Sequence, residues 1–262
     1  MKTLGVCGDS FYAAISKDIN NTDNGSEQHF TEILAKRLGW DIVTFARGAC
    51  SNQTIRLQIE EMIKIKPDLV IVGTTSPDRF EFPINNLKTN DYIGKYSDEI
   101  FKKSYNQSVG LYNIYYHDFP DKSAENPGFS HHKPTMISET LNNLFNNTTI
   151  TPILEKNDIR ILEEWFDRFY DLKWKQQTDT WLISDGLRKL QENNIKFYCV
   201  SNHLLVEQLE YCKDNIINND SELNPTMYCK NVKTPYRFHT SLESQRILAD
   251  LWYNKIVNLY EK

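Results

Sequence analysis

Short apolar runs alternate with amphipathic stretches over the first 73 residues. Leu4, Val6 and Cys7 suit a short buried strand, which Gly8 and Asp9 break, and Ser10 stands where the chain turns. Phe30, Ile33, Leu34, Arg37 and Leu38 recur at helical spacing and stop at Gly39. Asp41 to Phe45 reads as a second strand, and Ala46 to Asn52 as a loop of small residues in which Ser51 or Asn52 can cap the next helix. That helix carries Ile55, Ile59, Met62, Ile63 and Ile65 on one face and ends before Pro67. Asp68 to Gly73 is apolar almost throughout, as a strand covered on both faces requires. Three strands separated by two helices in so short a span predict an α/β fold: a three-layer α/β/α sandwich around a central, mostly parallel sheet.

The regular pattern fails after strand three. Residues 77–150 are rich in Asn, Tyr, Phe, Pro, Ser and His, and they read as a long insertion or cap within one domain spanning 1–262. Apolar spacing returns with Ile161, Leu162, Trp165, Phe166, Phe169 and Leu172, then with Trp181, Leu182, Leu187 and Leu190; both sets are expected to be core stripes of helices. Ile195 to Val200 is a fourth strand, ending in Ser201, Asn202 and His203. A helix is expected over 204–212, and mostly loop over 213–233 with a short strand near Met227. The chain closes on a helix carrying Leu242, Ile247, Leu248, Leu251, Trp252 and Ile256.

Composition narrows the function classes. The formal net charge of -5 argues against general nucleic-acid binding. The 5 cysteines show no Cys-x-x-Cys spacing, so neither a disulfide framework nor a zinc site is expected. Adjacent histidines such as His131 and His132 rarely ligate one ion together, and neither a metal nor an organic cofactor is expected. No apolar leader precedes the first strand and no run reaches membrane-spanning length. A cytoplasmic site of synthesis without membrane insertion is the default expectation, with packaging in a virion left open. The first strand lacks the Gly-x-Gly-x-x-Gly turn of a nucleotide-binding protein.

Candidate chemistry collects at the strand ends. Gly8-Asp9-Ser10, Arg47-Gly48 and Gly73-Thr74-Thr75-Ser76 would all lie on the carboxyl edge of the sheet, where open α/β folds bind ligands. Ser10 could present its hydroxyl for nucleophilic attack, with its own backbone N–H free to hold an anion. Ordinary turn chemistry is the competing explanation of Gly-Asp-Ser. His203 could reach the same edge or serve the fold alone. The aromatic stretch Tyr112 to Tyr116 could stack on sugar rings or pack the insertion onto the sheet.

In order and spacing these pieces resemble the SGNH, or GDSL-like, hydrolase superfamily. Its blocks are a Gly-Asp-Ser after strand one, a glycine after strand two, a Gly-x-Asn-Asp after strand three and an Asp-x-x-His before the last helix. Gly8-Asp9-Ser10 matches the first in full; Arg47 to Asn52, Gly73 to Ser76 and Tyr236 to His239 are similar to the others. The strings Ala-Arg-Gly-x-x-Ser-Asn and Thr-Ser-Pro-Asp-Arg-Phe-Glu are also similar to SGNH-like proteins of tailed phages. The resemblance implies a flavodoxin-like sheet, with Ser10 as nucleophile and His239 as general base. It implies an oxyanion hole from the N–H groups of Ser10 and of Gly48 or Ser51, with Thr75 in the third position, or Ser76 if the loop shifts by one. Asp9 and Asn52 would support the site, Asn52 by bonding across loops or by capping its helix. Arg79 would clamp an anionic or sugar ligand, or pair with Asp78 or Glu81.

Two positions depart from the family pattern. Thr75 stands for its asparagine, a hydroxyl with shorter reach than an amide. Tyr236 stands for its aspartate and cannot supply the carboxylate that orients a catalytic histidine, which leaves a Ser–His dyad or degenerate triad. The resemblance therefore implies a serine esterase acting on a small ester or an acetylated carbohydrate. The alternative is a catalytically inactive SGNH-like fold used for binding or as a structural protein of a phage particle, with Tyr236 at the Ser10–His239 gap.

Overall fold

The computed structural model describes residues 1–9, 11–13, 29–46, 51–77, 164, 168–169, 171–228 and 240–260, and the backbone of three strands at 79–84, 110–115 and 135–136. The first half follows the predicted alternation: β1 (Thr3–Cys7), α1 (Phe30–Leu38), β2 (Asp41–Thr44), α2 (Asn52–Ile65) and β3 (Leu69–Gly73). Then come β4 (Arg79–Ile84), β5 (Gly110–Tyr115), β6 (Thr135–Met136), α3 (Leu172–Glu192), β7 (Lys196–Val200), β8 (Ile216–Ile217) and α4 (Leu242–Tyr260).

The main sheet has the order β2-β1-β3-β7-β8, and all four of its pairings are parallel. Successive side chains of a strand face opposite layers. Leu4, Val6, Leu69, Ile71, Tyr198 and Val200 pack with Phe30, Leu34 and Ala35 of α1 and Leu248, Ala249, Trp252 and Ile256 of α4. Cys7, Val70, Val72, Phe197 and Cys199 pack on the other side with Ile55, Ile59 and Met62 of α2 and Ile183, Leu187 and Leu190 of α3. The result is the expected three-layer sandwich. The connection through α1 steps from β1 to one side and that through α2 crosses back to the other, so the strand order reverses between β1 and β3. That reversal is where such sheets open a crevice for ligands. Cys7 pairs with Val72 and Val72 with Cys199, so β1, β3 and β7 leave the sheet at one level.

Helix ends follow from local chemistry. Gly39 adopts φ 66° and closes α1 by donating its N–H to Ala35 and Lys36 carbonyls. Ser51 caps α2, its Oγ accepting from the Gln53 N–H at 3.1 Å. Lys66 turns left-handed, φ 55°, and ends that helix ahead of Pro67.

Several expectations are corrected. Trp181 and Leu182 are not core residues: they are exposed, and the buried stripe of α3 runs through Asp179, Thr180, Ile183, Gly186, Leu187 and Leu190. Phe169 and Ile247 are likewise exposed. The segment expected as a helix over 204–212 is a kinked 3-10 segment, Val206–Asn215. Met227 lies in a 3-10 turn, Pro225–Tyr228, and the short strand is instead Ile216–Ile217, which extends the main sheet beside β7. Within the span read as an insertion, β4, β5 and β6 pair antiparallel as a second sheet. Among the described residues no helix is long and apolar enough to cross a membrane.

Candidate functional site

At the reversal point, Asp9 and Thr75 meet. The Thr75 hydroxyl donates to Asp9 Oδ2 at 2.9 Å, joining the segment after β1 to the segment after β3. Asp9 Oδ1 accepts from the Phe11 N–H at 2.9 Å, and its carbonyl accepts from the N–H groups of Tyr12 and Ala13. Asp9 therefore caps the turn that begins here, with both carboxyl oxygens engaged and only 2% of its surface exposed. Thr75 has a single hydroxyl proton and directs it to Asp9.

Asn52 acts across the loops. Its Oδ1 accepts from the Thr75 N–H at 2.9 Å, and its Nδ2 donates to the Thr75 carbonyl at 2.9 Å. Nδ2 also donates to Asp179 Oδ2 at 3.0 Å. The cap of α2 is Ser51, which leaves the Asn52 amide for this cross-loop pairing. Asp179 in turn pairs through Oδ1 with Lys175, one helical turn earlier.

Gln58 clamps the end of β1 from below, accepting from the Gly8 N–H at 2.7 Å and donating to its carbonyl at 3.2 Å. Gly8 sits at φ 154°, and a side chain there would meet Tyr12. Burial pushes the Tyr12 phenol well above its usual range, with Asp9 and Cys199 adding to the shift.

The end of β3 is bound to the end of β7 through Thr74. The Thr74 hydroxyl donates to the Val200 carbonyl at 3.1 Å and accepts from the Asn202 N–H at 2.7 Å. Asn202 Nδ2 donates to the Thr74 carbonyl at 2.8 Å, and Asn224 Nδ2 donates to Asn202 Oδ1 at 2.8 Å. Beside this lattice Ser76 Oγ and Ser201 Oγ are buried and have no hydrogen-bond partner among the described residues. His203 adopts φ 62° and holds Gln176 Nε2 through its carbonyl at 2.6 Å.

The structure thus brings Asp9, Ser51, Asn52, Thr75 and Ser76 to one edge. Ser10, Gly48, Tyr236 and His239 lie outside the described residues, as do His131 and His132, and Arg79 is described only as backbone of β4. Among the described residues no group of three or more His, Cys, Asp or Glu could hold a metal ion. Gln58, Asn202, Asn224 and Asp179 were not singled out from the sequence. For Asp179 a signal existed: it lies four and eight residues before Ile183 and Leu187, a carboxyl group in helical register with apolar residues.

No family model and no curated protein sequence matches the chain. Solved structures similar to it include the psychrotrophic esterase EstA from Pseudoalteromonas sp., at 8% identity over 100% of both chains with a TM-score of 0.47. An acetyl xylan esterase, AlAXEase, is 12% identical over 97% of this chain and 99% of its own, with a TM-score of 0.45. TesA is 12% identical over 96% of each chain, with a TM-score of 0.45.

Proposed function

We propose that the chain is a serine esterase of the SGNH type, with Ser10 as nucleophile and His239 as general base. What supports the reading is the Thr75–Asp9 hydrogen bond across the β1/β3 reversal, which anchors Asp9, the residue before Ser10, while Asp9 also holds the Phe11 N–H after it. Ser10 Oγ attacks the acyl carbon while His239 takes its proton, and the carbonyl electrons move onto oxygen. Collapse expels the alcohol, which takes that proton back from His239 and leaves an acyl-serine. Water, deprotonated by His239, then attacks, releasing the acid and restoring Ser10. The N–H groups of Ser10 and of Gly48 or Ser51 would hold the oxyanion. With the Thr75 proton directed to Asp9, Thr75 enters this reading as the anchor of Asp9, and Ser76, whose Oγ has no hydrogen-bond partner among the described residues, would supply the third oxyanion donor. No metal or organic cofactor takes part, and the substrate is a small ester, with O-acetyl groups on carbohydrate the preferred class. Arg79 would contact an anionic or sugar portion of it.

The test is reaction with a fluorophosphonate probe, comparing the native protein with Ser10→Ala and His239→Ala. Labelling lost in both variants is expected, followed by acetate release from p-nitrophenyl acetate and acetylated glycans. A folded native protein that never labels would overturn the esterase. The second reading, an inactive SGNH-like fold serving as a binding protein or as part of a phage particle, is favoured by the same Thr75 contact, since it removes one oxyanion donor, and by Tyr236 in place of the family's aspartate.

A further inference from the structure

We propose that Asp179, in the middle of α3 and outside all four sequence blocks, is a positioning residue for the candidate site, acting through Asn52. Asp179 is 1% exposed. A buried carboxyl group is costly unless it is paired and hydrogen-bonded, and Asp179 stands one turn before the buried Ile183 in α3. Its two oxygens are divided: Oδ1 faces Lys175 on its own helix, and Oδ2 accepts from Asn52 Nδ2 at 3.0 Å. A primary amide has an acceptor end and a donor end. Only the donor end can face Asp179, so this contact holds Asn52 in the orientation that the Thr75 backbone also needs. In that orientation Asn52 Oδ1 meets the Thr75 N–H and Nδ2 meets the Thr75 carbonyl. Thr75, so held, delivers its hydroxyl to Asp9. Four residues from α3, α2 and the ends of β3 and β1 thus form one chain of hydrogen bonds, which ends at Asp9, the residue before the proposed nucleophile in sequence. Such a network behaves as a unit, and a break at its far end loosens the near one.

In its catalytic consequence the inference rests on the esterase reading; in its structural content it does not, and the test separates the two. The structural arm is amide hydrogen exchange, residue by residue, in the native protein, Asp179→Leu and Asp179→Asn. The Asn variant keeps an acceptor for Asn52 but loses the ion pair with Lys175. Asp179→Leu is expected to speed exchange at the Thr75 N–H about tenfold or more, while exchange in the strand cores of β1 and β3 stays within about twofold; Asp179→Asn is expected to restore most of the Thr75 protection. Unchanged Thr75 exchange in Asp179→Leu, or equal loss in both variants, overturns the inference whether or not the protein is an enzyme.

The catalytic arm uses p-nitrophenyl acetate. Asp179→Leu is expected to lower kcat about tenfold with KM nearly unchanged, and Asp179→Leu combined with Asn52→Leu to be no worse than Asn52→Leu alone, because residues in one network are not additive. Additive losses would overturn the route through Asn52. A native protein that shows Thr75 protection set by Asp179 but no labelling by the fluorophosphonate would retire the esterase and keep the positioning role.

Discussion

The ring of Tyr12 lies on the backbone of Gly73, so close that a Cβ at Gly73 would stand 1.9 Å from Tyr12 Cε2. The same ring covers Gly8, where a Cβ would stand 2.8 Å from Cδ2. The glycines ending β1 and β3 therefore make room for a fully buried aromatic residue that comes just after the Gly-Asp-Ser block. Gly73→Ala is expected to cost about 3 kcal/mol or more, since a packed core resists added volume. That corresponds to a fall of roughly 6–12 °C in the thermal midpoint for a chain of this size. Tyr12→Phe is the control. The Tyr12 hydroxyl is buried with no partner among the described residues, so its removal is expected to leave stability unchanged or raised by up to ~1 kcal/mol. Thermal melts of the two variants check both outcomes.

Thr75 and Asp9 can be separated without changing shape. Thr75→Val removes the hydroxyl that donates to the buried Asp9 carboxyl and is expected to cost about 1–3 kcal/mol. Thr75→Ser keeps the donor and is expected to recover more than half of that loss. Urea midpoints measure the stability, and fluorophosphonate labelling rates should fall in the same order, with Val below Ser.

Gln58 supplies both partners of Gly8. Gln58→Leu orphans a buried N–H and a buried carbonyl, and it is expected to cost about 1–3 kcal/mol in urea unfolding. Gln58→Glu keeps the acceptor for the N–H but sets a second oxygen against the Gly8 carbonyl. Only the protonated acid can donate there, so the folded state favours protonation of the introduced carboxyl. Stability relative to the native protein should then rise as pH falls from 7 towards 5, and a flat difference would count against the geometry.

Arg56 joins α2 to α3. It pairs with Asp185 at 2.5 Å and Glu60 at 3.0 Å, and Lys189 approaches Glu60 at 3.2 Å. The hydrogen bond from Arg56 holds the Asp185 carboxyl below its usual range, against a smaller opposing effect of burial. At Glu60 burial pulls upward, but the Lys189 hydrogen bond and the Arg56 charge outweigh it and the net shift is downward. Lowered carboxyl pKa values add stability that is present above the unfolded values, about 4, and is lost as pH falls through the folded ones. Both carboxyl groups are well exposed, so the effect is a modest one. Thermal melts from pH 5 to pH 2.5 should show a shallower acid loss in Arg56→Met than in the native protein.

Cys7 and Cys199 face the same core layer at 0% exposure, and burial pushes both thiols well above their ordinary range. Neither is expected to react with iodoacetamide in the folded protein, and both should react on unfolding, as peptide mass mapping would show.

Local pattern was enough for the frame. The period of Leu4, Val6 and Cys7, the stripe from Ile55 to Met62 and the stop signals Gly39 and Pro67 are near-neighbour properties, and the three strands and two helices predicted over the first 73 residues form where they read. The block at Gly8-Asp9-Ser10 was legible for the same reason, since a strand-ending tripeptide needs no distant partner to be noticed. The partners of that block were not legible. Thr75 was a plausible oxyanion donor by position, but only the tertiary structure turns its hydroxyl towards Asp9, 66 residues away in sequence. Asn52 could cap its own helix or reach across; Ser51 takes the cap, and the amide goes to Thr75 and Asp179. Trp181 and Leu182 read as core because helical spacing reports a face without saying which neighbour covers it, and α3 turns the Asp179–Leu187 stripe inward instead. Hydrophobic periodicity is written in residues three or four apart. Hydrogen-bond partners brought together by a parallel sheet stand a whole strand–helix repeat or more apart, so which groups they satisfy is decided only when the chain is folded.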